Sequence, residues 1–337
     1  MSSPRDPLAA DARLLADIGG THVRFGWQAR PGAPIDHVRE FECEAHPGVL
    51  EAIRHWIECE SLPSPAHAAL AVATPVQGEV IRLTNGPWSF STSELKSALS
   101  LNRLLVVNDF TALALALPRL DASEVQRIGG ADRPPFSTRE PVALLGAGTG
   151  LGVSGLLPSA DMQWTPIAGE GGHVSLATHD AREARVLGIL QDRFVHVSAE
   201  RVLSGDGLRN LWAALMQIRT GGWPKDIPSA STISQMALHQ QDAQALEVID
   251  VFCGFLGHVA GDLALTLGAT GGVFIGGGII PRWGHLVGQS RLRACFEAKG
   301  RYREYLAAIP IWTILTRESP ALRGVAQLLD ASGPSAV

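Results

Sequence analysis

The chain is short of cysteine, lysine and charge, and each shortage closes off a class of function. Four cysteines occur among 337 residues, Cys43, Cys59, Cys253 and Cys295. None falls in the closely spaced pairs that zinc sites use, and such a scatter reads as unpaired thiols in a reducing compartment. Lysine occurs only at Lys96, Lys225 and Lys299, never after a glycine. A P-loop, which requires Gly-Lys-Ser/Thr, is therefore excluded. Charged residues make up 18% of the chain against 46% hydrophobic, with a net charge of -5 spread along it. That balance excludes extended disorder and offers no basic stripe to a nucleic-acid backbone, so no nucleic-acid partner is expected. The N-terminus lacks the apolar core of a secretory signal and predicts a flexible tail over residues 1–11. Residues 263–281 carry no charge, but six glycines interrupt them. A helix, a buried strand and a glycine loop explain that run, and no membrane span is expected.

What is present alternates between strand and helix. Residues 13–18 read as a buried strand, Gly19-Gly20 as a tight turn and 23–28 as a returning strand. A second hairpin of the same plan spans 142–157, turning at Gly146-Ala-Gly-Thr-Gly-Leu-Gly152, so the chain reads as internally duplicated. Between the hairpins lie a helical pattern at 46–60, strands near 68–73 and 80–83, and a helix at 93–99. A strand over 103–107 then delivers Asn108-Asp109 to a helix at 111–117, which Pro118 stops. Helices at 181–194, 207–218 and 245–267 and a strand at 272–275 follow. The alternation predicts an α/β protein of two lobes, each a mixed sheet covered by helices, with 119–140 as the linker.

A glycine turn beside Thr or Asp can hold phosphates, because a backbone without Cβ lets several N–H groups approach one anion. The dinucleotide fingerprint Gly-x-Gly-x-x-Gly fails at its third glycine here, and Gly-x-Ser-x-Gly is missing around Ser154. What remains is two hairpin phosphate loops, one in each half. Ala16-Asp-Ile-Gly-Gly-Thr21 resembles the first phosphate loop of the actin and hexokinase superfamily, whose core is ribonuclease H-like, and the loop at 146–152 resembles its second. The segment 267–280, with Gly276-Gly-Gly278, resembles its adenosine loop. On that resemblance Ala16, Asp17, Ile18, Gly19, Gly20, Thr21, Gly148, Thr149, Gly150 and Gly277 bind ATP. Asp17 would orient Mg²⁺ through water, as an oxygen donor suited to a hard cation.

A hydroxyl that attacks a phosphoryl group needs a carboxylate to take its proton. Asp109 suits that role by standing after an apolar strand, although the same position also suits a helix cap, and both roles can coexist. Gly169-Glu-Gly-Gly-His173 and Ser198-Ala-Glu200 add carboxylates and an imidazole on flexible backbone. Asn108, Asp109, Glu170, His173 and Glu200 together offer the mixed donors and acceptors that a polyol requires.

At this level the chain resembles the proteobacterial glucokinases over nearly its whole length. The resemblance rests on Leu15-Ala-Asp-Ile-Gly-Gly-Thr21, Asn108-Asp-Phe-Thr-Ala112, Gly169-Glu-Gly-Gly-His-Val174, Glu200-Arg-Val-Leu-Ser-Gly205 and the segment 272–282. It implies Asp109 as catalytic base, with Asn108, Glu170, His173 and Glu200 on glucose. It also implies Mg-ATP as donor, a cytoplasmic homodimer, no structural zinc, and two lobes that close around the sugar. The small α/β domain would cover 12–118, rejoined by a C-terminal helix near 319–332, and the large one 119–318. Two positions depart from the family pattern: His22 stands where Asn is common, and Asp206, expected on the far side of Glu200, stands where Pro is usual. A kinase for another hexose, a sugar sensor on the same fold and an acid kinase are the competing readings. The sensor would need a DNA-binding helix-turn-helix, and the acid kinase basic residues in its pocket.

Overall fold

A computed structural model describes residues 11–160, 163–316 and 320–331. The predicted tail over 1–11 therefore lies outside the described residues except for Asp11. The chain divides into two compact units: 1–120 with 159–168 and 316–337, and 121–158 with 169–315.

In the first unit, β1 (Arg13–Ile18) and β2 (His22–Gln28) form the predicted hairpin, and β3 (Ile35–Glu42) extends it at the edge. Sequence reading missed β3 because its mostly exposed, charge-rich run has no buried face to create an apolar alternation. After α1 (Val49–Cys59), β4 (His67–Val72) runs parallel to β1. The small ribbon of β5 (Val80–Arg82) and β6 (Ser89–Ser91) leads into α2 (Thr92–Ala98). β7 (Arg103–Asn108) lies parallel to β4, and α3 (Asp109–Ala116) follows it at once. The sheet order is β3-β2-β1-β4-β7.

Apolar residues on both faces of β1 and β4 explain their unbroken hydrophobic runs. Leu14, Ala16 and Ile18, with Ala68, Leu70 and Val72, face a core that includes Ile53 and Trp56 of α1. Leu15, Ala69 and Ala71 face the helix Ala321–Ala331 through Leu322, Val325 and Leu329. That helix also lies against α3 so closely that a Cβ on Gly324 would stand 1.7 Å from the Ala112 carbonyl oxygen.

The second unit repeats the hairpin-plus-parallel-strand plan. β8 (Val125–Arg127) lies inside the segment read as a linker, where its three residues are too short to announce a strand. β9 (Val142–Ala147) and β10 (Leu151–Pro158) form the second hairpin. Within this unit the strands follow the order β10, β9, Gly272–Gly276, Ile311–Ile314, β8, with the middle three parallel. Helices α4 (Ala181–Gln191), α5 (Gly205–Thr220), α6 (Ala230–Gln235) and α7 (Ala243–Leu267) belong to the same unit. Among the described residues α7 is the helix long and apolar enough to cross a membrane, but 72% of that stretch is buried in the protein. Its Phe252, Phe255 and Leu256 pack into the core of the unit. The four cysteines are free thiols, and Cys59 is the exposed one.

Candidate active site

Parallel strands end together, and that edge gathers the candidate residues of the first unit. Ile18, Val72 and Asn108 stand in one row across β1, β4 and β7, so the turn after β1 and the start of α3 leave the sheet at the same edge. Ligands of open α/β sheets bind at such carboxyl edges. Ala16 and Ile18 are buried in β1, Asp17 between them is half-buried, and Gly19-Gly20-Thr21 makes the turn. The turn closes through the Gly19 N–H, which donates to the His22 carbonyl at 2.9 Å. Cys43 backs the loop, its N–H donating to the Thr21 carbonyl at 2.8 Å and its thiol lying 3.6 Å from the Gly19 carbonyl. Burial pushes the Cys43 thiol up, so it stays a protonated donor.

Asn108 is the cap of α3, accepting the Phe110 N–H on its side-chain oxygen at 2.9 Å. The same N–H lies 2.9 Å from an Asp109 carboxylate oxygen. Capping therefore falls first to Asn108, and the shared N–H orients the half-buried Asp109 carboxylate. Asp17, Asp109 and the exposed Thr21 hydroxyl are hard oxygen donors, the donor type that fits Mg²⁺.

The second unit carries the other candidates. Gly148, Thr149 and Gly150 turn between β9 and β10, with the Gly148 N–H donating to the Gly150 carbonyl at 2.8 Å. Close approach forces glycine here: a Cβ on Gly150 would stand 2.4 Å from Glu200 Oε2, and one on Gly277, which has φ of +82°, 2.3 Å from the Ala147 carbonyl. Glu200 Oε2 accepts the Leu151 N–H at 2.8 Å, and Glu200 Oε1 lies 4.0 Å from His173 Nδ1. Glu170 and His173 bracket a short 3-10 turn in which the His173 N–H donates to the Glu170 carbonyl at 3.0 Å, leaving both side chains exposed.

Beside this loop is a cavity of about 760 Å³ that sequence reading did not foresee in full. Gly148, Thr149 and Gly278 form one wall, Gly205, Asp206 and Arg209 of α5 a second, and Ser231, Ser234 and Gln235 of α6 a third. Its size, glycine-lined entrance and hydroxyl-rich wall fit a nucleotide. Asp206 thus borders this cavity, 3.5 Å from Arg209, rather than lying only on the far side of Glu200. The run Ser229-Ala-Ser-Thr carried a cap signal for α6 but nothing in it announced a cavity wall.

A family model described as Glucokinase matches residues 14–332. The chain is 50% identical over 319 residues to a protein named Glucokinase from Aromatoleum aromaticum, covering 94% of each. It is 43% identical to the Bifunctional protein glk of Paraburkholderia xenovorans, of which it spans 48%. The crystal structure of a glucokinase from an Antarctic psychrotroph superposes with a TM-score of 0.84 at 35% identity, over 95% of this chain and 99% of that one. A ROK family glucokinase from Streptomyces griseus, solved with glucose and AMPPNP, shares the fold at a TM-score of 0.62 and 19% identity, over 94% of this chain and 98% of that one.

Proposed function

Since the chain belongs to the glucokinase family, we propose that it transfers the γ-phosphoryl group of ATP to the 6-hydroxyl of glucose, giving glucose 6-phosphate and ADP. The observation that carries this reading is Glu200, whose carboxylate accepts an N–H of the second phosphate loop while standing next to His173. A group that recognises hydroxyls is thereby fixed to a loop that recognises phosphate.

In this reading Asn108, Asp109, Glu170, His173 and Glu200 hold glucose. Asp109 takes the proton from O6 as O6 bonds to the γ-phosphorus and the bond to the departing ADP oxygen breaks. Ala16, Asp17, Ile18, Gly19, Gly20, Thr21, Gly148, Thr149, Gly150 and Gly277 hold the phosphates, and the cavity beside α5 and α6 takes the adenosine. Asp17 would hold Mg²⁺ through water, and the ion supplies charge neutralisation on the phosphate oxygens. The enzyme acts in the cytoplasm as a homodimer, which sedimentation at several concentrations tests.

A coupled assay of glucose 6-phosphate formation, omitting ATP, Mg²⁺ and glucose in turn, tests the reaction itself. Turnover should need all three. Initial rates across glucose, mannose, fructose and N-acetylated amino sugars test the acceptor, and a preference for any of the others over glucose would reject it.

A further inference from the structure

Asn108 and Gly20 stand on opposite sides of the proposed reaction, one toward the sugar and the other toward the phosphates. A buried hydroxyl that belongs to neither side connects them. Thr74 is 5% exposed, two residues past the end of β4. Its carbonyl accepts the Asn108 side-chain amide at 3.3 Å. Its hydroxyl donates to the Arg82 carbonyl at 3.0 Å and meets the Thr84 hydroxyl at 2.9 Å, so the Thr84 hydroxyl is the donor in that pair. The turn that follows Thr84 presses on the phosphate loop: a Cβ on Gly20 would stand 2.3 Å from the Asn85 carbonyl oxygen, and one on Gly86 2.9 Å from the Gly20 carbonyl oxygen. The turn is held at its far end by the Leu83 N–H, which donates to the Trp88 carbonyl at 3.1 Å. Trp88 is in turn anchored through its indole N–H to the His46 carbonyl at 3.1 Å.

We propose that Thr74 is a positioning residue that fixes the acceptor-side Asn108 in register with the phosphate loop at Gly20, through the Thr84 hydroxyl and the Asn85–Gly86 turn. The inference rests on the reading of Asn108 and the loop given above and adds to it a residue that touches neither reactant. The chemistry requires a hydroxyl at this position. Thr74 Oγ1 is the one group that bonds the Arg82 carbonyl and the Thr84 hydroxyl at once, and a methyl in its place leaves both unmatched in a closely packed strap. Transfer depends steeply on alignment, so a small relative shift of Asn108 and Gly20 should register in both substrates.

The test is Thr74→Val, which keeps the shape and removes the hydroxyl, beside Thr74→Ser, which keeps the hydroxyl. Both are assayed with glucose and ATP varied in turn, well below their melting temperatures. Thr74→Val should raise the KM for glucose and for ATP several-fold and lower kcat about tenfold. Thr74→Ser should stay within about twofold of the parent chain, and in an Asn108→Ala background Thr74→Val should no longer move the glucose KM. A lowered Tm with unchanged kinetic constants would show a merely structural role and overturn the proposal, as would a serine variant no better than the valine one. If Thr74→Val does not fold, the exposed Thr84→Ala takes its place, and unchanged constants there overturn the proposal equally. A parent chain that leaves glucose unphosphorylated overturns the parent reading, and this inference with it. An active parent with an indifferent Thr74→Val overturns the inference alone.

Discussion

In each unit an acceptor-side residue is tied to the phosphate loop of that same unit, Asn108 through Thr74 and Glu200 through Leu151. Chemistry and positioning then separate by residue. Asp109→Asn keeps the shape and the contact with the Phe110 N–H but cannot take a proton. Glucose binding should persist by calorimetry, while kcat falls about 10²–10⁴-fold; near-normal turnover would reject Asp109 as the base. Gly150→Ala acts without touching the chemistry. Its methyl would overlap Glu200 Oε2 and expel that carboxylate from the Leu151 N–H, so the glucose KM should rise with little change in Tm. An unaltered glucose KM would separate Glu200 from sugar binding.

At the level of elements, α3 matters because it begins at Asp109, and whatever seats α3 seats the proposed base. Its neighbour is the helix Ala321–Ala331, which approaches through Gly324. Glycine to alanine in an exposed helix gains up to about 1 kcal/mol. At Gly324 the sign should reverse, because the new Cβ would lie 1.7 Å from the Ala112 carbonyl oxygen and the two helices must part. Gly324→Ala should cost about 1–3 kcal/mol by chemical denaturation and also lower kcat. Stability equal to that of the parent would mean that the helices slide without loss.

The second unit as a whole is held by a buried ionic cluster that ties α4 to α7 and to the segment after it. Glu183, His258 and Cys295 bring a carboxylate, an imidazole and a thiol within 4.8 Å of one another. The Arg291 guanidinium lies 2.6 Å from Glu183 Oε1, and the His179 N–H donates to Glu183 Oε2 at 2.8 Å, so a fixed cation already stands where a metal would. Burial pushes the Glu183 carboxyl up, but hydrogen bonds from His258 and the His179 N–H outweigh it and leave it below the usual range. Asp180 is lowered first by the Glu183 N–H that it caps, then by Arg291 against the opposing effect of burial. Burial, with His258 and Lys299 nearby, lowers His179. All three groups bind protons less readily folded than unfolded. Their contribution is therefore present at neutral pH and lost on acidification, first below about pH 6.5 through His179 and then below about pH 4 through the carboxylates. Tm measured from pH 7.5 downward should fall in that order. Asp180→Asn, which keeps the cap acceptor, should flatten the lower part of the curve, and an unchanged slope would remove Asp180 from this account.

Both hairpins, the central helix α7 and the Asn108-Asp109 junction are legible in the sequence, because an apolar run with a glycine turn or a strand-to-helix switch is a local signal. So are the motif residues Gly19, Gly150, Glu170, His173 and Glu200, by chemistry and resemblance. The sequence itself could not reveal β3 or β8, since an exposed edge strand and a three-residue strand lack the periodicity that burial imposes. It was equally silent on the ties among these residues. That Gly150 must be glycine because Glu200 lies against it, that Asp206 borders the nucleotide cavity, and that Thr74 joins Asn108 to Gly20 all depend on contacts between segments distant in sequence. Local patterns fix which residues can form each element; only packing decides which atoms stand within hydrogen-bonding distance of one another.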